Sequence, residues 1–134
     1  MCNGSLYAFI KSNKENVSKL FSFTTILRIF QGIQYLQSVS LIHRDLKPAN
    51  ILLDNNYLPY ITDFETIRLI NEEDNSSYIT NDIGSPLYLS PEQNEGKNIS
   101  FPTDIYSFGL IIYFLFEKKI LKIKDHLMKL SKKW

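Results

Sequence analysis

The chain has 134 residues, a formal net charge of +1 and 44% hydrophobic residues, enough for one folded domain with a real core. So balanced a charge leaves no global footprint for nucleic acid. Cys2 is the single cysteine, which excludes an internal disulfide and points to a reducing, cytoplasmic setting. The N-terminus has no basic segment followed by an apolar run, so no signal peptide is expected. The longest apolar stretch, Ile105 to Phe116, is shorter than the roughly 20 residues of a spanning helix, and a soluble chain without a transmembrane segment is expected.

In chain order, Leu20 to Gln37 carries Ile26, Ile29, Phe30, Ile33 and Leu36 at helical spacing and predicts a helix. The polar loop His43-Arg44-Asp45-Leu46-Lys47-Pro48-Ala49-Asn50 then runs straight into Ile51-Leu52-Leu53. Ile51–Leu53 and Leu58–Thr62 read as two short strands, joined by the turn residues Asp54-Asn55-Asn56. Residues 65–90 are polar and without pattern, and a segment of that length is more often functional or mobile than structural.

Thr103 to Phe116 predicts an almost wholly apolar helix, starting near Pro102 or Thr103 and expected at the centre of the core. Beyond it, Phe116, Ile120, Ile123, Leu127, Leu130 and Trp134 recur at alternating spacings of three and four. From Lys118 to Trp134 there are seven Lys against one Asp. This predicts a basic amphipathic helix over 118–134, apart from a unit at 1–117. Three readings stand for it: a helix that continues or bends back over exposed core, one that binds an acidic partner or membrane surface, or an unstructured end.

The loop from His43 to Asn50 carries the chemistry. Asp45 can accept a proton from a hydroxyl, and Lys47 can neutralise developing phosphate charge. Asn50, and Asp63 thirteen residues later, offer the hard oxygens that Mg²⁺ requires. Such a set serves phosphoryl transfer to a hydroxyl. Two later motifs are in register with it, Gly84-Ser85-Pro86-Leu87-Tyr88-Leu89-Ser90-Pro91-Glu92 and Asp104-Ile105-Tyr106-Ser107-Phe108-Gly109.

Together these stretches resemble the eukaryotic protein kinase family, in its serine/threonine form at Asp45-Leu46-Lys47-Pro48-Ala49-Asn50 and with the wording of the tyrosine-kinase-like group at Tyr106-Ser107-Phe108-Gly109. The resemblance covers about residues 4–117. It implies a mainly α fold with a small β-hairpin, a truncated kinase C-lobe. It further implies ATP and Mg²⁺ as cofactors and a protein Ser or Thr as substrate. By the same resemblance Asp45 is the base, Lys47 contacts the transferred phosphate, Asn50 and Asp63 hold metal, and Leu52 forms the adenine floor beside the hinge-like Gly4-Ser5-Leu6. His43 and Phe64 belong to a hydrophobic spine, Asp104 anchors the catalytic loop backbone, and Arg44 would pair with a phosphate on the activation segment. Thr80 is the leading candidate acceptor of that phosphate, with Ser76, Ser77 and Tyr78 weaker ones.

Four departures qualify the activity. The 134 residues contain no Gly-rich loop, strand-borne Lys or helix Glu ahead of the hinge-like residues, since Lys11 and Lys14 come after them. The chain is therefore expected to lack the N-lobe and to be weak or inactive alone. Glu65 stands where the family has Gly, and a left-handed backbone there would cost a Cβ roughly 1–2 kcal/mol. No Arg follows Glu92 to pair with it, so Glu92 is expected to be solvated. Later C-lobe helices are also expected to be absent, leaving the apolar face of 105–116 partly uncovered. The alternatives to a kinase catalytic region are a non-catalytic kinase-derived module that docks on a complementary lobe or acidic partner at 118–134, and an incomplete reading frame.

Overall fold

Helix α2, Lys19–Ser38, organises the molecule. The Ser18 side chain caps it by accepting from the Phe21 N–H, and one face carries the buried Ile29, Ile33 and Leu36. The computed structural model describes residues 3–13, 15–70, 86–96 and 99–118. Within them the order is α1 (Leu6–Ser12), α2, β1 (Leu41–Ile42), β2 (Ile51–Leu53), β3 (Pro59–Ile61), β4 (Arg68–Leu69), α3 (Pro91–Asn94) and α4 (Phe101–Glu117). The architecture is mainly helical with small antiparallel sheets. The segment 71–85 with Thr80, Ser76, Ser77 and Tyr78, and the expected tail helix beyond Lys118, lie outside the described residues.

The expected hairpin is present. β2 and β3 pair antiparallel with Ile51 opposite Ile61 and Leu53 opposite Pro59. Asp54 builds the turn, its Oδ1 accepting from the Asn56 and Leu58 amides. A second pairing, β1 with β4, sets Leu41 against Leu69 and Ile42 against Arg68. It closes the chain on both sides of the polar loop and was not expected from the sequence.

The N-terminal segment lies along the free edge of β2. The Leu53 N–H donates to the Gly4 carbonyl at 2.9 Å, and Ser5 bridges Leu52. Gly4 has φ +76°, the left-handed turn that a side chain would strain, and Ser5 then caps α1 through the Ala8 N–H. Residues far apart in sequence, the hinge-like Gly4-Ser5 and Leu52, are therefore neighbours.

Helix α4 starts at Phe101, slightly before the expected Pro102 or Thr103, because Ser100 and Thr103 form a capping box with Pro102 in the first turn. Its apolarity is shared out. Ile111, Phe114 and Leu115 are buried with Ile33 of α2, Leu6 of α1 and Ile51 of β2 in one cluster. Ile105, Tyr113 and Phe116 remain exposed, as expected for a partly uncovered face. Because Ile111 is fully buried while Ile105 is 42% exposed, Ile111→Ala is expected to lower unfolding free energy by about 2–5 kcal/mol. Ile105→Ala should cost under about 1 kcal/mol. Urea titration of both variants checks the contrast, and equal losses would contradict this core.

Candidate active site

A carboxylate from α4 fixes the polar loop. Asp104, in the first turn of α4 and buried, accepts from the His43 N–H at 2.8 Å through Oδ2 and from the Arg44 N–H at 3.0 Å through Oδ1. Burial pushes its carboxyl above the ordinary range, while the two amide donors, His43 and Arg44 pull it back. The helix N-terminus adds a favourable field for the charged form.

Further bonds complete the clamp. Arg44 takes a left-handed backbone, φ 69°. Its Nε donates to the Thr66 carbonyl at 2.6 Å, and its own carbonyl accepts from Gln93 Nε2 at 2.9 Å. The Thr66 hydroxyl donates to the His43 carbonyl at 2.7 Å. The buried His43 ring has Nε2 2.9 Å from the Thr62 carbonyl and Nδ1 3.4 Å from the Asp45 nitrogen, so it is held at both ring nitrogens. Its ring centroid lies 5.6 Å from that of Phe64, so those two residues do meet.

Asp45, Lys47 and Asn50 form one cluster. Lys47 Nζ lies 2.6 Å from Asp45 Oδ2. Asn50 Nδ2 donates to the Asp45 carbonyl at 2.9 Å and to Oδ2 at 3.1 Å, so the carboxamide oxygen is the atom it retains for a cation. The Asn50 carbonyl in turn accepts from the Thr62 N–H and hydroxyl, at 2.9 and 3.1 Å, which ties the loop to the residue before Asp63. Asp63 is exposed and left-handed at φ 65°.

Glu65 sits in the single turn of 3₁₀ helix Phe64–Thr66 and is not among the positive-φ residues. The condition for Cβ strain at Glu65, a left-handed backbone, is therefore not met; the left-handed position is Asp63. Glu92 is half-buried rather than simply solvated. The Thr103 hydroxyl donates to its Oε1 at 2.9 Å. Burial raises its pKa, but hydrogen bonds from its own backbone N–H, Thr103 and Ser90 outweigh this and hold the carboxyl below the ordinary range.

A cleft of about 370 Å³ opens beside the cluster, lined by Tyr7, Lys47, Pro48, Ala49, Leu87 and Tyr88. Burial, with the nearby Tyr7, pushes the Tyr88 phenol up to about 12, so it stays neutral. Sequence reasoning missed Thr62, Thr66 and Gln93. Of these only Gln93 carried a local signal, the Ser90-Pro91-Glu92-Gln93 capping box.

The family model described as protein kinase domain matches residues 1–132. The chain belongs to the protein kinase family. It is 33% identical over 117 residues to the RGS domain-containing serine/threonine-protein kinase A of Dictyostelium discoideum, covering 87% of this chain and 10% of that protein. It is 36% identical over 121 residues to the serine/threonine-protein kinase PKH2 of Candida albicans, covering 83% of this chain and 12% of that kinase. With the serine/threonine-protein kinase ppk21 of Schizosaccharomyces pombe the identity is 32% over 119 residues, 83% of this chain and 21% of that kinase. The chain thus spans about a tenth to a fifth of the length of these relatives. Among the described residues, no helix is long and apolar enough to cross a membrane, and no group of three or more His, Cys, Asp or Glu could hold a metal.

Asp104→Asn keeps one acceptor but turns an amide donor toward one of the two N–H groups. It is expected to cost about 1.5–3 kcal/mol and to speed hydrogen exchange at His43 and Arg44. Unchanged exchange there would refute the clamp. Glu92 has a lowered folded pKa, so its contribution to stability is present above the ordinary carboxylate value and is lost as pH falls through the folded value. Thr103→Val should raise that pKa and flatten the acid limb of a pH–stability curve, which denaturation at a series of pH values reads directly.

Proposed function

We propose that this chain is part of a serine/threonine protein kinase catalytic region, the hinge end to the central helix of a C-lobe at 1–117, which moves the γ-phosphoryl group of ATP to a protein Ser or Thr. The observation that carries this reading is the cluster of Asp45, Lys47 and Asn50 on a loop whose backbone is clamped by Asp104. In it Asp45 accepts the proton of the substrate hydroxyl, and Lys47, held at 2.6 Å from Asp45, neutralises charge on the transferred group.

The residues present suit Mg²⁺. Asn50 and Asp63 offer two oxygens, and Mg²⁺ is ordinarily held by one or two carboxylate-type ligands, with waters and substrate phosphates completing its shell. When bound, the ion offsets phosphate charge. Leu52, bridged by Ser5, would form the adenine floor. His43 and Phe64, whose rings meet at 5.6 Å, would belong to the hydrophobic spine, and Arg44 is the group a phosphorylated Thr80, Ser76 or Ser77 would meet.

The 134 residues carry no Gly-rich phosphate loop and no strand-borne Lys before the hinge-like segment, so they position ATP incompletely. Positioning supplies much of the rate of phosphoryl transfer, and residues 1–134 alone should be a poor catalyst. Glu65 beside Asp63–Phe64 and the lysine-rich stretch 118–134 support a second reading, a kinase-derived module that binds partners without catalysis.

Labelled phosphate transfer from Mg-ATP to a Ser/Thr peptide, measured with the intact kinase, is expected to fall about 10²–10⁴-fold in Asp45→Asn. Asp63→Asn should abolish the Mg²⁺ dependence of nucleotide binding. Transfer indifferent to Asp45 would sink the catalytic assignment, and no Mg-ATP thermal shift at all would favour the binding module.

A further inference from the structure

The cleft beside the Asp45–Lys47 pair shares only Lys47 with the groups assigned to ATP and Mg²⁺. Asn50, Asp63 and Leu52 do not line it. Phosphoryl transfer brings two reactants to one base. A cleft that touches the lysine beside that base, and nothing else assigned to the nucleotide, suits the reactant that carries the hydroxyl.

Its walls come from three places. Tyr7 stands on α1, Pro48 and Ala49 follow Lys47 in the polar loop, and Leu87 and Tyr88 precede α3. Two of these are held by α4. The Tyr7 ring stacks on Phe114 at 6.0 Å, and the Tyr88 carbonyl accepts from the Ser107 hydroxyl at 2.8 Å. α4 also clamps the loop that carries Asp45, through Asp104. One helix thus spaces the cleft from the base, and a ligand meets walls already in place.

The chemistry of those walls is one-sided. Among the described residues Lys47 is the single charged group lining the cleft, and its Nζ is engaged by Asp45 at 2.6 Å. A basic side chain would enter without a carboxylate to meet it and beside a cation. Lys11, its Nζ 5.8 Å from the Tyr7 ring centroid, adds a second positive charge next to Tyr7. An acidic side chain would compete with Asp45 for Lys47 and disturb the base. Burial, with the nearby Tyr7, pushes the Tyr88 phenol up to about 12, so it brings no charge either. Leu87 and Ala49 offer exposed apolar surface. At about 370 Å³ the cleft has room for one bulky side chain and its backbone.

On the reading of Asp45 as the base, we propose that this cleft selects the protein substrate: it takes a bulky apolar side chain, Leu, Met or Phe, within about three residues of the acceptor Ser or Thr along an extended peptide, and turns away Arg and Lys there.

The test is a set of Thr peptides in which each position near the acceptor in turn carries Leu, Phe, Arg, Asp or Ala. Transfer from Mg-ATP and peptide binding by fluorescence anisotropy are both measured with the intact kinase. At one position, Leu or Phe should raise kcat/KM about tenfold or more over Arg and Asp, mostly through KM. Leu87→Glu puts a carboxylate in the wall and should reverse the order, so that Arg exceeds Leu at that position. Ala49→Glu should do the same; both sites are exposed, so neither change opens the core. Transfer with no preference, or with a preference for Arg or Asp, overturns the proposal and leaves Asp45 as the base. So does an apolar preference that neither Glu variant alters. Transfer to no peptide at all sinks the catalytic reading instead. The selectivity of the cleft then stands if Leu still outbinds Arg by anisotropy and Leu87→Glu reverses this, and falls otherwise.

Discussion

The polar loop of the candidate site depends on the carboxylate of Asp104. It receives two backbone N–H groups from a loop about sixty residues earlier in the chain. A buried carboxylate is costly unless its lone pairs are engaged, and here both oxygens take an amide while the first turn of α4 supplies a favourable field. The loop needs that hold. Arg44 adopts a left-handed backbone, a conformation costing a non-glycine residue of order 1–3 kcal/mol. Hydrogen bonds to a charged group contribute roughly 1.5–3 kcal/mol each, so two of them outweigh the strain.

That hold is transmitted by short links. Asp104 fixes His43 and Arg44; the His43 ring meets the Thr62 carbonyl; the Thr62 N–H and hydroxyl meet the Asn50 carbonyl; Asn50 meets Asp45. No residue in this chain of contacts is free to move without breaking a bond to the next. Gln93 adds a second tether, since the side chain that caps α3 also binds the Arg44 carbonyl. The apolar helix α4 thus has two duties, to fill the core with Ile111 and Leu115 and to hold a charge at a defined place.

What could be read from the sequence was local. The spacing of Ile29, Ile33 and Leu36 fixed α2 to within a residue at each end, and Asp54-Asn55-Asn56 located the hairpin turn. Asp104 was expected to anchor the loop because a motif placed it there, and its two bonds are present. By contrast β1 and β4 are two residues each, with 25 residues between their ends, and no periodicity marks so short a pair. α1 is seven residues long and too short for a helical pattern, although Ser5 followed by Leu6 was a cap in plain view. Thr62 and Thr66 act through backbone carbonyls across the fold, which no residue type announces. Glu65 stands where a glycine would ease a left-handed turn, yet the backbone turns left-handed two residues earlier, at Asp63.

α2 joins these observations mechanically. On one side Gly32 approaches the hairpin so closely that a Cβ there would lie 2.8 Å from Ile61 Cδ1. On the other, Phe30 stacks on Phe108 of α4. Ile61 directly precedes Thr62 and Asp63, so the spacing of α2 and the hairpin helps to set where that carboxylate stands. Phe108 lies one turn beyond Asp104, so the spacing of α2 and α4 bears on where the loop is clamped. One helix therefore braces both ends of the candidate site.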